Sequence, residues 1–128
     1  MRFLVMVKAK REWDGELPTA AMGAFNEALV RDGVLLAAEG LQPSSKGARI
    51  SYDGPRPVVT DGPFTEAKEL VAGFWMLQAR SKEELIERFM HCPFELGERV
   101  EIRQLFESED FAAIPEVAQR LARTQATP

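Results

Sequence analysis

Two apolar runs, residues 3–9 and 70–79, are each followed by a helical pattern and then by another strand-like segment. That repeated alternation limits the folds open to the chain more than any other feature. The first run is rich in Phe, Leu and Val and is bounded by charge. The second holds Val71, Phe74, Trp75, Met76 and Leu77 and is the strongest strand signal in the sequence. After the first run, Thr19 is suited to cap a helix over about residues 20–32, ended by Gly33, with Met22, Phe25 and Leu29 on one stripe. After the second, Ser81 and Glu84 have the spacing of a capping box for a helix over about residues 82–91. Its expected apolar stripe is Leu85, Ile86, Phe89 and Met90, with Glu84 and Arg88 paired one turn apart and Cys92-Pro93 as the stop.

The remaining segments complete the pattern. Val34 to Glu39 reads as a strand closed by Gly40. Residues 48–52 and 57–60 flank Asp53-Gly54-Pro55 as a small hairpin. Residues 99–106 form a last strand, and Val117, Ala118 and Leu121 mark a short helix from Pro115 to Arg123 with a frayed end. The order is strand, helix, strand, hairpin, strand, helix, strand. Two βαβ-like halves with helices on one face of an antiparallel sheet give an α+β, ferredoxin-like sandwich with an inserted hairpin. Residues 1–111 are expected to form the domain and residues 112–128 a C-terminal helix and tail. The second face of the sheet also carries apolar groups. A second copy packed face to face, as a dimeric α+β barrel, is the economical cover.

At 128 residues the chain can bury a core without disulfides or metal. Its 16 basic and 20 acidic residues give a net charge of −4, and the basic residues are scattered. Nucleic-acid binding, which needs a basic stripe, is therefore not expected. A single cysteine cannot form an internal disulfide, which fits a reducing cytoplasm. The apolar run at the N-terminus is too short for a signal peptide or a membrane span, so a cytoplasmic protein without membrane partners is expected.

The densest polar chemistry lies in residues 61–69, Asp-Gly-Pro-Phe-Thr-Glu-Ala-Lys-Glu. Asp61 is suited to accept hydrogen bonds from backbone N–H groups just ahead of it. Gly62 can reach backbone angles closed to other residues, and Pro63 fixes its own φ and keeps Gly62 out of the helical region. Such a segment is either a well-made surface turn or part of a working site.

This motif, with Gly73-Phe74-Trp75, residues 33–47 and residues 101–107, resembles the YCII-related superfamily, in the branch known for its Asp-Gly-Pro-Phe motif. The similarity runs over about residues 1–111. It implies a ferredoxin-like fold and a homodimer with a pocket in each protomer, and it names no reaction. Better-studied relatives in the wider superfamily are thought to use a His on the first helix and an Asp before a Pro after the second. By spacing these positions fall at Met22 and Cys92, neither of which can supply His–Asp proton transfer. Members of the branch are often encoded beside extracytoplasmic-function sigma factors, which implies such a factor as a partner.

Lys8, Glu39, Asp61, Phe64, Lys68 and Glu69 are the candidate ligand-binding residues. Ammonium groups and carboxylates in a half-buried pocket suit proton transfer or the orientation of a polar ligand, and equally a structural ion-pair network. Lys8 is either the snorkelling end of a strand or a pocket cation. Glu39 is a partner for Lys8 or a pocket base. His91, the sole histidine, suits the dipole at a helix end, and an acid–base role stays open. Cys92 reads as a buried thiol, and one His with one Cys exclude a single-chain zinc site of soft ligands. No metal or cofactor is expected. Trp13, apolar in a polar loop, is assigned to packing on a dimer partner or to a pocket mouth. Two functions follow: a small-molecule-binding domain with or without acid–base activity, or an interaction protein.

Overall fold

The computed structural model describes residues 1–9, 19–64, 69–95 and 97–126; Trp13 and Lys68 lie outside them. In chain order the elements are β1 (Arg2–Ala9), α1 (Ala20–Arg31), β2 (Leu35–Gly40), β3 (Ala48–Ser51), β4 (Val58–Asp61), β5 (Leu70–Gln78), α2 (Lys82–Phe89), β6 (Arg99–Gln104) and α3 (Pro115–Ala126). Short 3-10 turns occupy Ser44–Lys46 and Ser108–Phe111. The main sheet has four strands in the order β2-β5-β1-β6, every neighbouring pair antiparallel. Strands β3 and β4 form a separate hairpin sheet. An α+β fold with an antiparallel sheet in this order is compatible with the ferredoxin-like plan.

Register sorts the side chains onto two faces. On one, Phe3, Val5 and Val7 of β1 stand opposite Leu77, Trp75 and Gly73 of β5, and Val5 and Val7 opposite Ile102 and Val100 of β6. Helices α1 and α2 close over this face through Leu29, Leu85 and Phe89, which join Phe3, Val5, Val34, Trp75 and Leu77 in one buried core. Trp75 is its hub. Its ring meets Phe25, Phe89 and Phe94 edge-on at centroid distances of 6.2, 5.2 and 6.1 Å, and its indole N–H donates to Asn26 Oδ1 at 2.8 Å.

The helix ends show how local sequence meets tertiary demand. Thr19 Oγ1 accepts from the Met22 N–H, as an N-cap should. Past α1, Gly33 takes φ of +72°, and the Val34 N–H closes onto the Leu29 carbonyl at 3.1 Å. Ser81 Oγ likewise accepts from the Glu84 N–H, but the Glu84 carboxylate takes the N–H of Arg80 rather than that of the cap residue. Arg88 turns away from Glu84 and reaches Asp32 at 3.0 Å, tying α2 to the end of α1. This guanidinium holds the Asp32 carboxyl below its ordinary range. Helix α2 stops at Phe89, and only Leu85 and Phe89 of the expected stripe are buried. Ile86 and Met90 lie a further 100° or so around the helix and remain exposed.

Gly23 lies inside α1, where an added Cβ would meet nothing within 4 Å. Gly23→Ala is therefore expected to stabilise the fold by about 0.5–1 kcal/mol, read as a rise of a few degrees in thermal midpoint. An unchanged or lower midpoint would contradict the reading of α1 as an unstrained surface helix at this point.

The opposite face of the sheet carries Leu4 opposite Met76 and Arg103, Met6 opposite Phe74 and Glu101, and Lys8 opposite Val71 and Arg99. Leu4, Met6, Phe74 and Met76 are half-buried there, with no helix of the described residues packed across them in the core cluster. The register of β1 against β5 slips between Val7 and Lys8, so Ala72 is an extra residue, and its carbonyl accepts the Leu41 N–H at 2.9 Å. After β6, Glu107 binds Arg2 at 2.9 Å and shares a capping box with Asp110. Helix α3 runs to Ala126, longer than the sequence pattern suggests. Gln125 anchors its end by donating to the Phe106 carbonyl at 2.9 Å.

Candidate functional site

Strand β4 ends at Asp61, opposite Ala48, and the chain then turns through a cis Gly62–Pro63 peptide. The Gly62 N–H donates to the Gly47 carbonyl at 3.0 Å, and the Phe64 N–H to Ser44 Oγ at 3.0 Å. The Arg49 guanidinium lies 3.8 Å above the Phe64 ring. These contacts seat the turn on the Ser44–Lys46 segment. Gly62 is required for a reason the sequence did not reveal. Among the described residues only Gly33 and Gly97 have positive φ, so Gly62 does not use the left-handed region. Instead its Cα presses on main chain: a Cβ there would sit 1.7 Å from the Ser44 carbonyl oxygen. Asp61 itself is exposed, and among the described residues nothing donates a hydrogen bond to its carboxylate.

The antiparallel pairings bring the ends of β1 and β2 and the starts of β5 and β6 to one end of the sheet. Lys8, Glu39 and Glu69 all belong to that end. Lys8 is half-buried on the open face, and among the described residues its ammonium has no ion pair or hydrogen bond. Glu39, exposed, stands opposite Phe74, which stands opposite Met6 in the next strand. No ion pair joins Glu39 to Lys8. Glu69 accepts from Arg99 Nη1 at 3.1 Å. Arg99 was missed as a site residue, although strand alternation gives it the same parity as Glu101 and Arg103 and hence the open face. Phe64 sits with Arg49 at the seat of the turn.

Met22 and Cys92 both pack, half-buried, against the core cluster. The thiol is pushed up to about 11 by burial, with a further push from the Glu98 charge. At pH 8 only about one Cys92 in a thousand is a thiolate, so alkylation of the folded protein by iodoacetamide is expected to be far slower than that of the urea-unfolded chain. Equal rates in the two states would refute the buried thiol. Because the folded state holds this proton more tightly, stability is expected to fall as pH rises from the ordinary 9.0 towards 11. His91 is exposed beyond α2, with Nε2 3.5 Å from Glu87 Oε1. Among the described residues there is no cluster of His, Cys, Asp and Glu suited to a metal ion, and no helix long and apolar enough to cross a membrane.

A family model described as YCII-related domain matches residues 1–109. The chain belongs to the YCII-related domain family. The YCII-related domain thus takes in the whole four-stranded sheet, the hairpin and the turn at Asp61, and α3 lies beyond it. No curated protein matches the chain. Within this YCII-related domain, the sheet end bearing Lys8, Glu39, Glu69 and Arg99 is the region richest in chemistry.

Proposed function

We propose that this YCII-related protein, of the branch with the Asp-Gly-Pro-Phe turn, binds a small polar molecule at the open end of its sheet. The observation that carries this reading is Lys8, a half-buried residue beside the apolar row of Met6 and Phe74 whose ammonium has no ion pair or hydrogen bond among the described residues. A strand cation flanked by apolar groups is placed to take an anionic or polar group of a ligand by charge-assisted hydrogen bonds. A second copy of the chain packs over Leu4 and Met76, forming the dimeric α+β barrel and leaving the Lys8 end as the pocket mouth. Acid–base chemistry, if the bound molecule undergoes it, uses Glu39 or Asp61, since Met22 and Cys92 hold no suitable group.

A thermal-shift screen against metabolites tests the reading. A ligand that raises the midpoint, and does so less for Lys8→Met at unchanged intrinsic stability, supports it. A screen without a stabilising compound, together with a monomer in sedimentation, argues against both ligand and dimer.

A second reading, an interaction protein partnered with an extracytoplasmic-function sigma factor, draws on the exposed Phe106, Ile114 and Val117 of the C-terminal segment. Failure of an extracytoplasmic-function sigma factor to associate at micromolar concentration would count against it.

A further inference from the structure

We propose that Lys8 and Arg99 form a paired cationic seat for a small organic carboxylate whose apolar body lies on Met6 and Phe74. This rests on the ligand-binding reading above and gives the ligand a chemical class. The register of β1 against β6 sets Lys8 directly opposite Arg99 on the open face. Like charges directly opposite one another in neighbouring strands are unfavourable unless an anion lies between them. Glu69 supplies one carboxylate, and it is taken by Arg99 at 3.1 Å. Lys8, half-buried, has none among the described residues.

The other cations of this face differ from Lys8 in having partners among the described residues. Arg2 is paired with Glu107 and Arg103 with Glu101. An ammonium next to a guanidinium fork is a donor set suited to a carboxylate, which accepts several charge-assisted hydrogen bonds at once. The row beside it is apolar on both central strands, Met6 opposite Phe74, and would cover a hydrocarbon body. Charge also selects the class. Around Lys8 stand Arg99 paired with Glu69, Arg103 paired with Glu101, and Glu39, three cations against three anions, a balance that suits a monoanion better than a dianion such as phosphate.

The test uses the full-length protein with hexanoate, hexanamide, hexylamine and inorganic phosphate, followed by chemical-shift titration or calorimetry. Hexanoate is expected to bind at least about tenfold more tightly than hexanamide, because the amide cannot make the charge-assisted contacts. Lys8→Met keeps the stem and loses no partner, so it should fold normally and bind hexanoate about tenfold more weakly or worse, as should Arg99→Gln. Arg103→Gln, on the same face, should leave the affinity unchanged. Equal binding of hexanamide, unchanged hexanoate affinity in Lys8→Met or Arg99→Gln, or phosphate binding as tight as hexanoate each overturns the carboxylate seat. Absence of hexanoate binding overturns it too, and the ligand-binding reading then stands or falls on the metabolite screen alone.

Discussion

Gly62→Ala is expected to unseat the Asp61 turn and to cost about 3 kcal/mol, measured as a lower urea midpoint at unchanged slope. The new Cβ would lie 1.7 Å from the Ser44 carbonyl oxygen and 2.5 Å from its carbon. Both are main-chain atoms, so no rotamer change relieves the collision. Either the turn lifts or the Ser44–Lys46 segment unwinds. Both routes break the hydrogen bonds from Gly62 to Gly47 and from Phe64 to Ser44, and both separate Arg49 from the Phe64 ring. Two hydrogen bonds at about 1 kcal/mol each and a cation–π contact at about 0.5–1 kcal/mol account for the size of the effect. Amide exchange supplies a local readout, because the Gly62 N–H should lose its protection while the core strands keep theirs. Gly54→Ala, where a Cβ meets nothing within 4 Å, is the matched control and should be neutral to within about 0.5 kcal/mol. A Gly62→Ala protein as stable as the control would show that the turn is not pressed against Ser44.

The largest stability loss is expected from Trp75→Ala. Trp75 is 6% exposed, and its removal deletes a buried double ring and three edge-on aromatic contacts. It also leaves Asn26 without the indole N–H. Large aromatic-to-alanine changes in cores cost about 3–5 kcal/mol, and the lost ring pairs place this one at the top of that range. Against a total stability of about 5–15 kcal/mol, such a loss would leave the protein marginal or unfolded at 37 °C. Trp75→Phe retains one ring but loses the indole hydrogen bond and part of the buried ring volume, for which a smaller cost of about 1–3 kcal/mol is expected. A loss below about 2 kcal/mol for the alanine variant would mean that the cluster around Trp75 is not the centre of the core.

Much of this architecture was legible in the sequence because its signals are local. Thr19 and Ser81 cap the helices they precede, Gly33 terminates α1, and the apolar runs of β1 and β5 are the two central strands of the sheet. What escaped depends on neighbours distant in sequence. The reason for Gly62 is a carbonyl at Ser44. Arg88 abandons a partner one turn away for Asp32, which no helical periodicity could indicate. Arg99 gains its interest only when strand pairing sets it against Lys8 and brings Glu69 to it. The candidate residues were chosen by type and by nearness to strand ends. That was enough to gather Lys8, Glu39 and Glu69 at one end of the sheet but not to say which of them pairs with Arg99.

The central position of β1 carries a consequence for how the protein is made. Arg2–Ala9 precedes the other described strands, and among the described residues it pairs with Leu70–Gln78 and Arg99–Gln104 alone. At translation rates of about 5–20 residues per second, it waits roughly 3–14 s for its first partner to be polymerised, and longer still before that partner clears the ribosome. Throughout that interval an apolar strand with two open edges is available to the wrong neighbours. The nascent chain is thus open to misassociation before its second central strand emerges.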